Sequence, residues 1–332
     1  MKKIKLGVLC VDVKDKSNIF SFTSNCAFHI LNELKKYDDI EIVKHYVSST
    51  SDTKELWLKD FSKVNHLFGI NLRQWSYYPS DKVAIIKSKI KGKLFQFYDS
   101  GSRREPTDIN FSFLDQGIIK NKTYEDVYVG WSADPDTFYI NKLKDDKTLN
   151  ILIDHSHFSA NKTEGYEMSD EIATQCNRFA NSTQMLEIFN RNNNTTFTSV
   201  KVRRLVSGGI EDLDLTNKVN LDYSHTSVGQ QHLADEYAKA HIFIATHKES
   251  LGMCILESAM SGCFVISPKG FIKEHQVLQH VNNYTFKTTI EWQNIVDAIM
   301  PIENRNKVVH WSWKRSVNIM YNTIKRYDNE IN

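Results

Sequence analysis

Apolar and polar positions follow two patterns along the first part of the chain, one typical of buried strands and one typical of amphipathic helices. Residues 4–11 (IKLGVLCV) and 40–47 (IEIVKHYV) are short apolar runs that predict strands. Residues 23–36 (TSNCAFHILNELKK) place apolar side chains at helical spacing. Two further apolar segments, 82–90 (KVAIIKSKI) and 126–131 (DVYVGW), are predicted as strands. This succession is typical of α/β architecture.

A second series of the same kind follows a polar, aperiodic segment. Residues 132–148 (SADPDTFYINKLKDDKT) contain a proline and are the best candidate for an interdomain linker. The later predicted strands are 149–158, 200–209, 219–225, 241–246, 263–268 and 284–288. The later predicted helices are 167–191, 230–240, 251–262 and 289–300, with a closing helix over 312–327. We therefore expect an α/β protein of two doubly wound, Rossmann-like domains, since 332 residues are long for a single core.

Composition narrows the class of protein. A chain with 41% hydrophobic and 25% charged residues is an ordinary globular protein, and a net charge of +2 argues against a nucleic-acid partner. The five cysteines are odd in number and show no C-x-x-C spacing, which predicts reduced thiols in a cytoplasmic protein. We expect neither a signal peptide nor a membrane span, because no apolar run approaches about 20 residues.

One local charge imbalance leaves two interpretations open. Residues 81–104 carry seven lysines and arginines against two aspartates. The plainer interpretation is a solvated basic face. The alternative is a patch that contacts anionic lipid or an anionic acceptor, which would make the protein peripheral at the inner face of the membrane.

The segment HKESLGMCILESAMSGC, residues 247–263, concentrates the candidate chemistry. It follows a predicted buried strand and begins a predicted helix at Gly252, so it lies at the carboxyl edge of a sheet, where ligands bind in open α/β folds. The first-turn amides of Leu251 to Cys254 lack intrahelical partners and can hold a phosphate. Glu257 is placed to accept hydrogen bonds from a ribose diol. If helical, the eight residues from Glu249 to Glu257 span about 12 Å, which suits a nucleotide-sugar.

This segment resembles the donor-site motif of the retaining GT-B glycosyltransferases often called family 4. The family pattern is a glutamate, seven residues, a second glutamate, a small residue and a later glycine. Glu249, Glu257, Ala259 and Gly262 occupy those places. The surrounding residues 230–267 resemble the helix-strand-motif-strand passage of the family. The resemblance implies the GT-B fold, with two Rossmann-like domains facing a central cleft.

Other positions match the family pattern less completely. Lys162 resembles a lysine that faces the donor diphosphate, and His157 stands where the family has an arginine; each is otherwise an ordinary loop residue. Gly208 and Gly209 resemble a glycine loop near the nucleotide base, or are simply a turn. The segment 127–139 partly matches the family's interdomain segment. The N-terminal loop, residues 10–26, departs from the pattern because it contains no glycine.

The resemblance also implies domain roles and residue roles. Residues 1–140 would form the acceptor-side domain, 141–310 the donor-binding domain, and 311–332 a helix that crosses back to the first domain. Glu257 would hold the ribose and Glu249 the transferred sugar.

The remaining donor-site residues would serve the leaving group. The resemblance implies that Ser250, Leu251, Gly252, Met253, Cys254, Lys162 and His157 stabilise the departing diphosphate. No cofactor and no metal is expected, and the pairs Asp134–Asp136 and Asp212–Asp214 are interpreted as solvated turns.

The implied activity is transfer of a sugar from a UDP- or GDP-sugar to an acceptor hydroxyl with retention at the anomeric carbon. Glycan, lipid-linked and protein acceptors are all compatible, as in bacterial-type surface glycan synthesis. Two alternatives stay open. One is a GT-B sugar-nucleotide epimerase, which rearranges the bound donor. The other is a non-catalytic partner subunit that keeps the fold.

Overall fold

The computed structural model describes most of the chain, and it divides the protein into two compact units. The described residues are 3–14, 22–46, 58–70, 80–97, 107–113, 125–140, 147–154, 162–206, 209–212, 229–246, 253–268, 283–286, 292–296 and 304–331. The first unit comprises Met1–Ser132 together with Trp311–Asn332, and the second comprises Ala133–His310. The C-terminal segment therefore belongs to the first unit.

A parallel sheet forms the centre of the first unit. Within the described residues it has six strands in the order β2-β1-β3-β4-β5-β6. These are β1 (Ile4–Cys10), β2 (Ile40–Tyr46), β3 (His66–Ile70), β4 (Leu94–Phe97), β5 (Ile109–Ser112) and β6 (Glu125–Tyr128). The inner strands β3, β4 and β5 are buried along their whole length, as expected of a parallel sheet covered on both faces.

Helices of the first unit cover this sheet. They are α1 (Phe22–Leu34), α2 (Ser80–Ser88) and α9 (Trp313–Ile331). The closing helix is confirmed, and its apolar face packs inward, with Val317, Met320, Tyr321 and Ile324 all buried. The Tyr321 hydroxyl donates to Asp39, and Lys325 forms an ion pair with the same carboxylate at 2.7 Å. These contacts join α9 to the chain just before β2.

The prediction of a strand over residues 82–90 is wrong, because most of this segment belongs to helix α2, which spans Ser80–Ser88. Its apolar run is as compatible with a buried helix face as with a strand. Ile86 and Ile90, four residues apart, are both buried against Leu9, Leu67 and Leu94. Side chains four residues apart share one face in a helix and also in a strand, so this spacing does not separate the two interpretations.

The second unit contains another six-stranded sheet among its described residues, in the order β12-β11-β10-β7-β8-β9. Its strands are β7 (Thr148–Ile153), β8 (Ser199–Val206), β9 (Gly209–Asp212), β10 (Ile242–Ile244), β11 (Phe264–Pro268) and β12 (Asn283–Phe286). All neighbours pair in parallel except β8 and β9. The helices are α3 (Lys162–Ala180), α4 (Thr183–Asn193), α5 (Gln230–Lys239), α6 (Met253–Met260), α7 (Trp292–Val296) and α8 (Asn304–Val308). The strand predicted over 219–225 lies outside the described residues.

The single helix predicted over residues 167–191 is two helices. Helix α3 ends at Ala180, and Ser182 is the extended N-cap of α4, whose side chain accepts a hydrogen bond from the Met185 amide at 3.3 Å. A serine side chain at this position satisfies an amide that the helix itself cannot. Both helices contribute to one core, where Phe179 of α3 meets Phe189 of α4.

This break generates a prediction about Ser182. Replacing Ser182 by Ala should lower the free energy of unfolding of the second unit by about 1 kcal/mol, because one first-turn amide of α4 loses its acceptor. Urea denaturation followed by circular dichroism measures this. Ser182→Asp should keep most of the stability, since aspartate is an equally good cap. If alanine and aspartate behave alike, the side chain does not cap α4.

Candidate functional site

The order of strands in the second sheet marks one place at its edge. Strand β7 pairs with β8 on one side and β10 on the other. The chain therefore builds outward from β7 in both directions, and the carboxyl ends of β7 and β10 lie at the point of reversal. Ligands of doubly wound sheets bind at such a point. Asp154 directly follows β7 and Thr246 lies just beyond β10, and both side chains are buried.

Helix α6 follows β10 and carries the second glutamate of the motif. From Ile255 to Met260 every residue is buried, so the helix packs on more than one side. Glu257 is among them, with a relative exposure of 6%. A carboxylate in such surroundings requires hydrogen-bond donors or positive charge nearby. The structure thus places Glu257 inside the protein at this edge and not on a solvated helix face.

The end of α6 is fixed by a glycine in the left-handed conformation. Gly262 has φ +81°, and its amide donates to the Ala259 carbonyl at 2.9 Å. The Cys263 amide donates to the Ser258 carbonyl at 3.0 Å. These two bonds together form a Schellman motif. A Cβ atom at Gly262 would approach the Ile140 side chain to 3.2 Å. The glycine of the motif therefore has a structural role, which is to stop α6 before β11.

A buried tyrosine lies close to Glu257. No motif predicted from the sequence assigns it a role. Tyr237 of α5 is buried, and its ring packs edge-on against Phe243 with centroids 5.2 Å apart. Burial raises the pKa of Tyr237 well above its ordinary value, and the nearby Cys254, Glu257 and Asp154 raise it further. The phenol therefore stays protonated. Its helical spacing from Leu233 predicts burial, but only the tertiary structure reveals which charges surround it.

Helix α8 contacts the same region through side-chain hydrogen bonds to backbone carbonyl oxygens. Arg305 donates to the carbonyl oxygens of Met260 and Pro135, each at 2.8 Å, and also to that of Phe138. The neighbouring Asn304 donates to the Cys263 carbonyl at 2.7 Å. Burial lowers the pKa of Arg305, and Asp136 opposes this shift. One guanidinium thus ties the end of α6 to the segment after Ala133.

Charged residues also connect β8 with α5. Arg203 forms a buried ion pair with Glu236, and Lys239 contacts the same carboxylate at 2.6 Å. Arg204, the next residue, is buried as well. Adjacent residues of a strand point to opposite faces, so Arg203 and Arg204 lie on opposite faces of the sheet. Neither arginine is part of a motif in the sequence that predicts a functional role.

The predicted site residues are only partly within the described chain. Glu257, Met253 and Cys254 lie on α6, Lys162 is the first residue of α3, and Gly209 begins β9. Of Lys162 and Gly209 only the backbone is described. The other predicted residues lie outside the described ranges: Glu249, Ser250, Leu251, Gly252, His157 and Gly208. The structure therefore brings Glu257 and Cys254 together with Tyr237, and their partnership with Glu249 stays a prediction.

The aspartate pair at residues 134–136 has a local structural explanation. The Asp134 carboxylate accepts hydrogen bonds from the Asp136 amide and the Thr137 hydroxyl of its own turn. In the described ranges, no group of three or more histidine, cysteine, aspartate or glutamate side chains is arranged to hold a metal ion. No helix among those ranges is both long enough and apolar enough to cross a membrane.

Solved structures resemble the whole chain. Sucrose-phosphate synthase from Thermosynechococcus elongatus matches with a TM-score of 0.62 and 9% identity, over 98% of this chain and 99% of that one. The chain has the GT-B fold. A glycosyltransferase from Rickettsia africae matches with a TM-score of 0.57 and 10% identity, over 98% of this chain and 99% of that chain. A UDP-N-acetylglucosamine 2-epimerase matches with a TM-score of 0.55 and 12% identity, over 99% and 97%.

No family model and no curated protein matches the chain in sequence. At identities of 9 to 12% the structural likeness establishes the fold alone. The same fold carries both sugar transfer and sugar epimerisation among these structures. The fold alone therefore does not determine the activity, which depends on the residues of the site.

The left-handed glycine at the end of α6 generates a prediction. Gly262→Ala should cost about 1–2 kcal/mol of unfolding free energy, because an alanine is strained at positive φ and its methyl group would press on Ile140. Chemical denaturation measures the loss. Ser261→Ala is the matched control: in the described ranges its buried hydroxyl has no hydrogen-bond partner, so its removal should change stability little. Equal stability of Gly262→Ala and wild type would contradict the capping role.

Proposed function

We propose that this protein is a retaining glycosyltransferase that moves a sugar from a UDP- or GDP-sugar to an acceptor hydroxyl. The observation that carries the proposal is the burial of Glu257 on α6, at the edge where the strand order of the second sheet reverses. A ribose diol offers two hydroxyl donors to such a carboxylate. The GT-B fold supports the proposal because glycosyltransferases are among the structures that share it.

Different residues would contact the ribose, the diphosphate, the sugar and the base of the donor. Glu257 binds the ribose, and the backbone before and at the start of α6, residues 250–254, faces the diphosphate. Lys162 and His157 add positive charge there, which stabilises the diphosphate as its bond to the sugar breaks. Glu249 contacts hydroxyls of the sugar, and Gly208 with Gly209 lines the base. In this proposal no metal is required, since amides and cations offset the negative charge of the leaving group.

The reaction would exchange one bond at the anomeric carbon for another. The bond from that carbon to the diphosphate oxygen breaks, and the acceptor oxygen bonds to the same face of the sugar. The acceptor proton leaves with the nucleoside diphosphate. The buried hydroxyl of Tyr237, which stays neutral, supplies a donor near Glu257 without adding negative charge to a site that must bind an anion.

The ribose role of Glu257 makes a binding prediction. Glu257→Ala should weaken UDP or GDP binding about tenfold to a hundredfold, because hydrogen bonds to a charged group are each worth about 1.5–3 kcal/mol. Isothermal titration calorimetry measures the affinity. Glu187→Ala is the control, since Glu187 is an exposed glutamate of the same unit. Unchanged affinity in Glu257→Ala would exclude the ribose role, and no binding of either nucleotide by the wild type would refute the proposal.

Epimerisation of the donor is the second candidate, because a UDP-N-acetylglucosamine 2-epimerase shares the fold over nearly the whole chain. The two activities differ in their need for an acceptor. Incubation with UDP- and GDP-sugars should give nucleoside diphosphate and a glycosylated product only when an acceptor hydroxyl is present. Mass spectrometry and NMR of the sugar distinguish the outcomes. A rearranged sugar-nucleotide formed from donor alone would identify an epimerase.

A further inference from the structure

A small pocket opens in the first unit between helix α1 and the edge strand β2. It has a volume of about 250 Å³. Three parts of the chain line it: the residues after β1, one face of α1 with the residue that follows it, and β2. The lining residues that matter here are Asp12, Lys14, Phe28, Asn32, Lys35 and Lys44. All of them belong to the first unit, whereas Glu257 and its neighbours belong to the second.

The helix and the sheet direct positive charge into this space. Phe28, Asn32 and Lys35 recur at intervals of four and three residues, so they share one face of the helix and its end. Lys44 lies on β2 opposite Val8 of β1 in the strand register. Three lysines thus line the pocket against a single aspartate, Asp12.

Lys35 and Lys44 are close enough to repel each other. Burial lowers the pKa of the Lys35 ammonium, and the neighbouring Lys44 lowers it further. Glu33, the nearest acidic residue of α1 in sequence, is occupied by Lys36 at 2.5 Å. Within the described ranges neither Lys14 nor Lys35 has a carboxylate at ion-pair distance. This part of the unit therefore holds like charges together at a cost that a bound anion would remove.

We propose that this pocket binds a phosphate group, contacted by the ammonium groups of Lys14, Lys35 and Lys44. Lysine is a common point-charge ligand of phosphate, and the Asn32 amide adds a neutral donor. The volume is below the roughly 300–1,000 Å³ of pockets for drug-sized ligands. It therefore fits phosphate itself or a small phosphate ester, with Phe28 and Leu31 as an apolar wall for the ester carbons. The site is independent of the proposed donor site.

Titration of the full chain with inorganic phosphate and with glycerol phosphate tests this proposal. Calorimetry is preferable to a thermal shift, because phosphate stabilises most folded proteins non-specifically. At constant ionic strength, Lys35→Gln and Lys44→Gln should each weaken binding about tenfold. Lys91→Gln, which removes an exposed lysine of the same unit that does not line the pocket, should leave the affinity unchanged.

A second readout separates loss of the site from loss of the fold. Without phosphate, Lys35→Gln should melt at the same temperature as the wild type or slightly higher, because the repulsion by Lys44 is gone. A variant that is equally stable and yet binds phosphate more weakly has lost ligand contacts and not structure. A lower melting temperature together with unchanged phosphate affinity would overturn the proposal.

The remaining outcomes are equally decisive. The proposal would be overturned if neither probe bound at millimolar concentration and phosphatidic acid vesicles did not bind either. Equal weakening by Lys91→Gln would also overturn it. Phosphate affinity that falls in Glu257→Ala would assign the binding to the second unit and so contradict the separate site. Vesicles of phosphatidic acid, compared with phosphatidylcholine, identify the source of the phosphate: vesicle binding lost in Lys35→Gln but kept in Lys91→Gln would indicate a lipid headgroup.

Discussion

The left-handed backbone at Gly262 is the constraint on which the candidate site of the second unit depends. It ends α6 after Met260, and the chain then enters β11 within a few residues. Because a helix is rigid along its length, fixing its last turn also fixes Glu257 one turn earlier. Arg305 and Asn304 hold this last turn from α8 through hydrogen bonds to backbone carbonyls. The glycine of the motif therefore acts on the ligand site through geometry, without any contact to a ligand.

Burial of charge is the second feature of this region. An ionised carboxylate that loses its water costs several kcal/mol unless partners compensate. Glu236 is compensated by Arg203 and Lys239, which makes it a structural ion pair. Glu257 lies beside Tyr237, at an edge where ligands bind in this class of sheet. Perturbed titratable groups collect at functional sites, and the raised pKa of Tyr237 is such a perturbation.

The sequence predicted the alternation of strands and helices well, because burial in parallel strands and amphipathic helices leaves different periods in the chain. It failed where two structures share one pattern. Residues 82–90 have an apolar run that fits either element, and the break at Ser182 interrupts an apolar face that continues through both helices. The sequence predicted that Glu257 lies on a helix after a buried strand, and the structure places it on α6 after β10; its role in binding stays a prediction. Tyr237 and Arg305 could not be assigned, since their roles come from contacts with residues distant in the chain.

The proposed donor site of the second unit and the proposed phosphate pocket of the first would both have to hold negative charge. Just before α6 the sequence contains Gly252, and a glycine allows a ligand to approach the backbone amides closely. The sequence after β1 has no glycine from Cys10 to Cys26, so it lacks the residue type that most readily permits such an approach. Lysine side chains do not need such an approach, because their charge lies at the end of a flexible stem. In the proposed phosphate pocket, the three lysines that line it would therefore supply the positive charge.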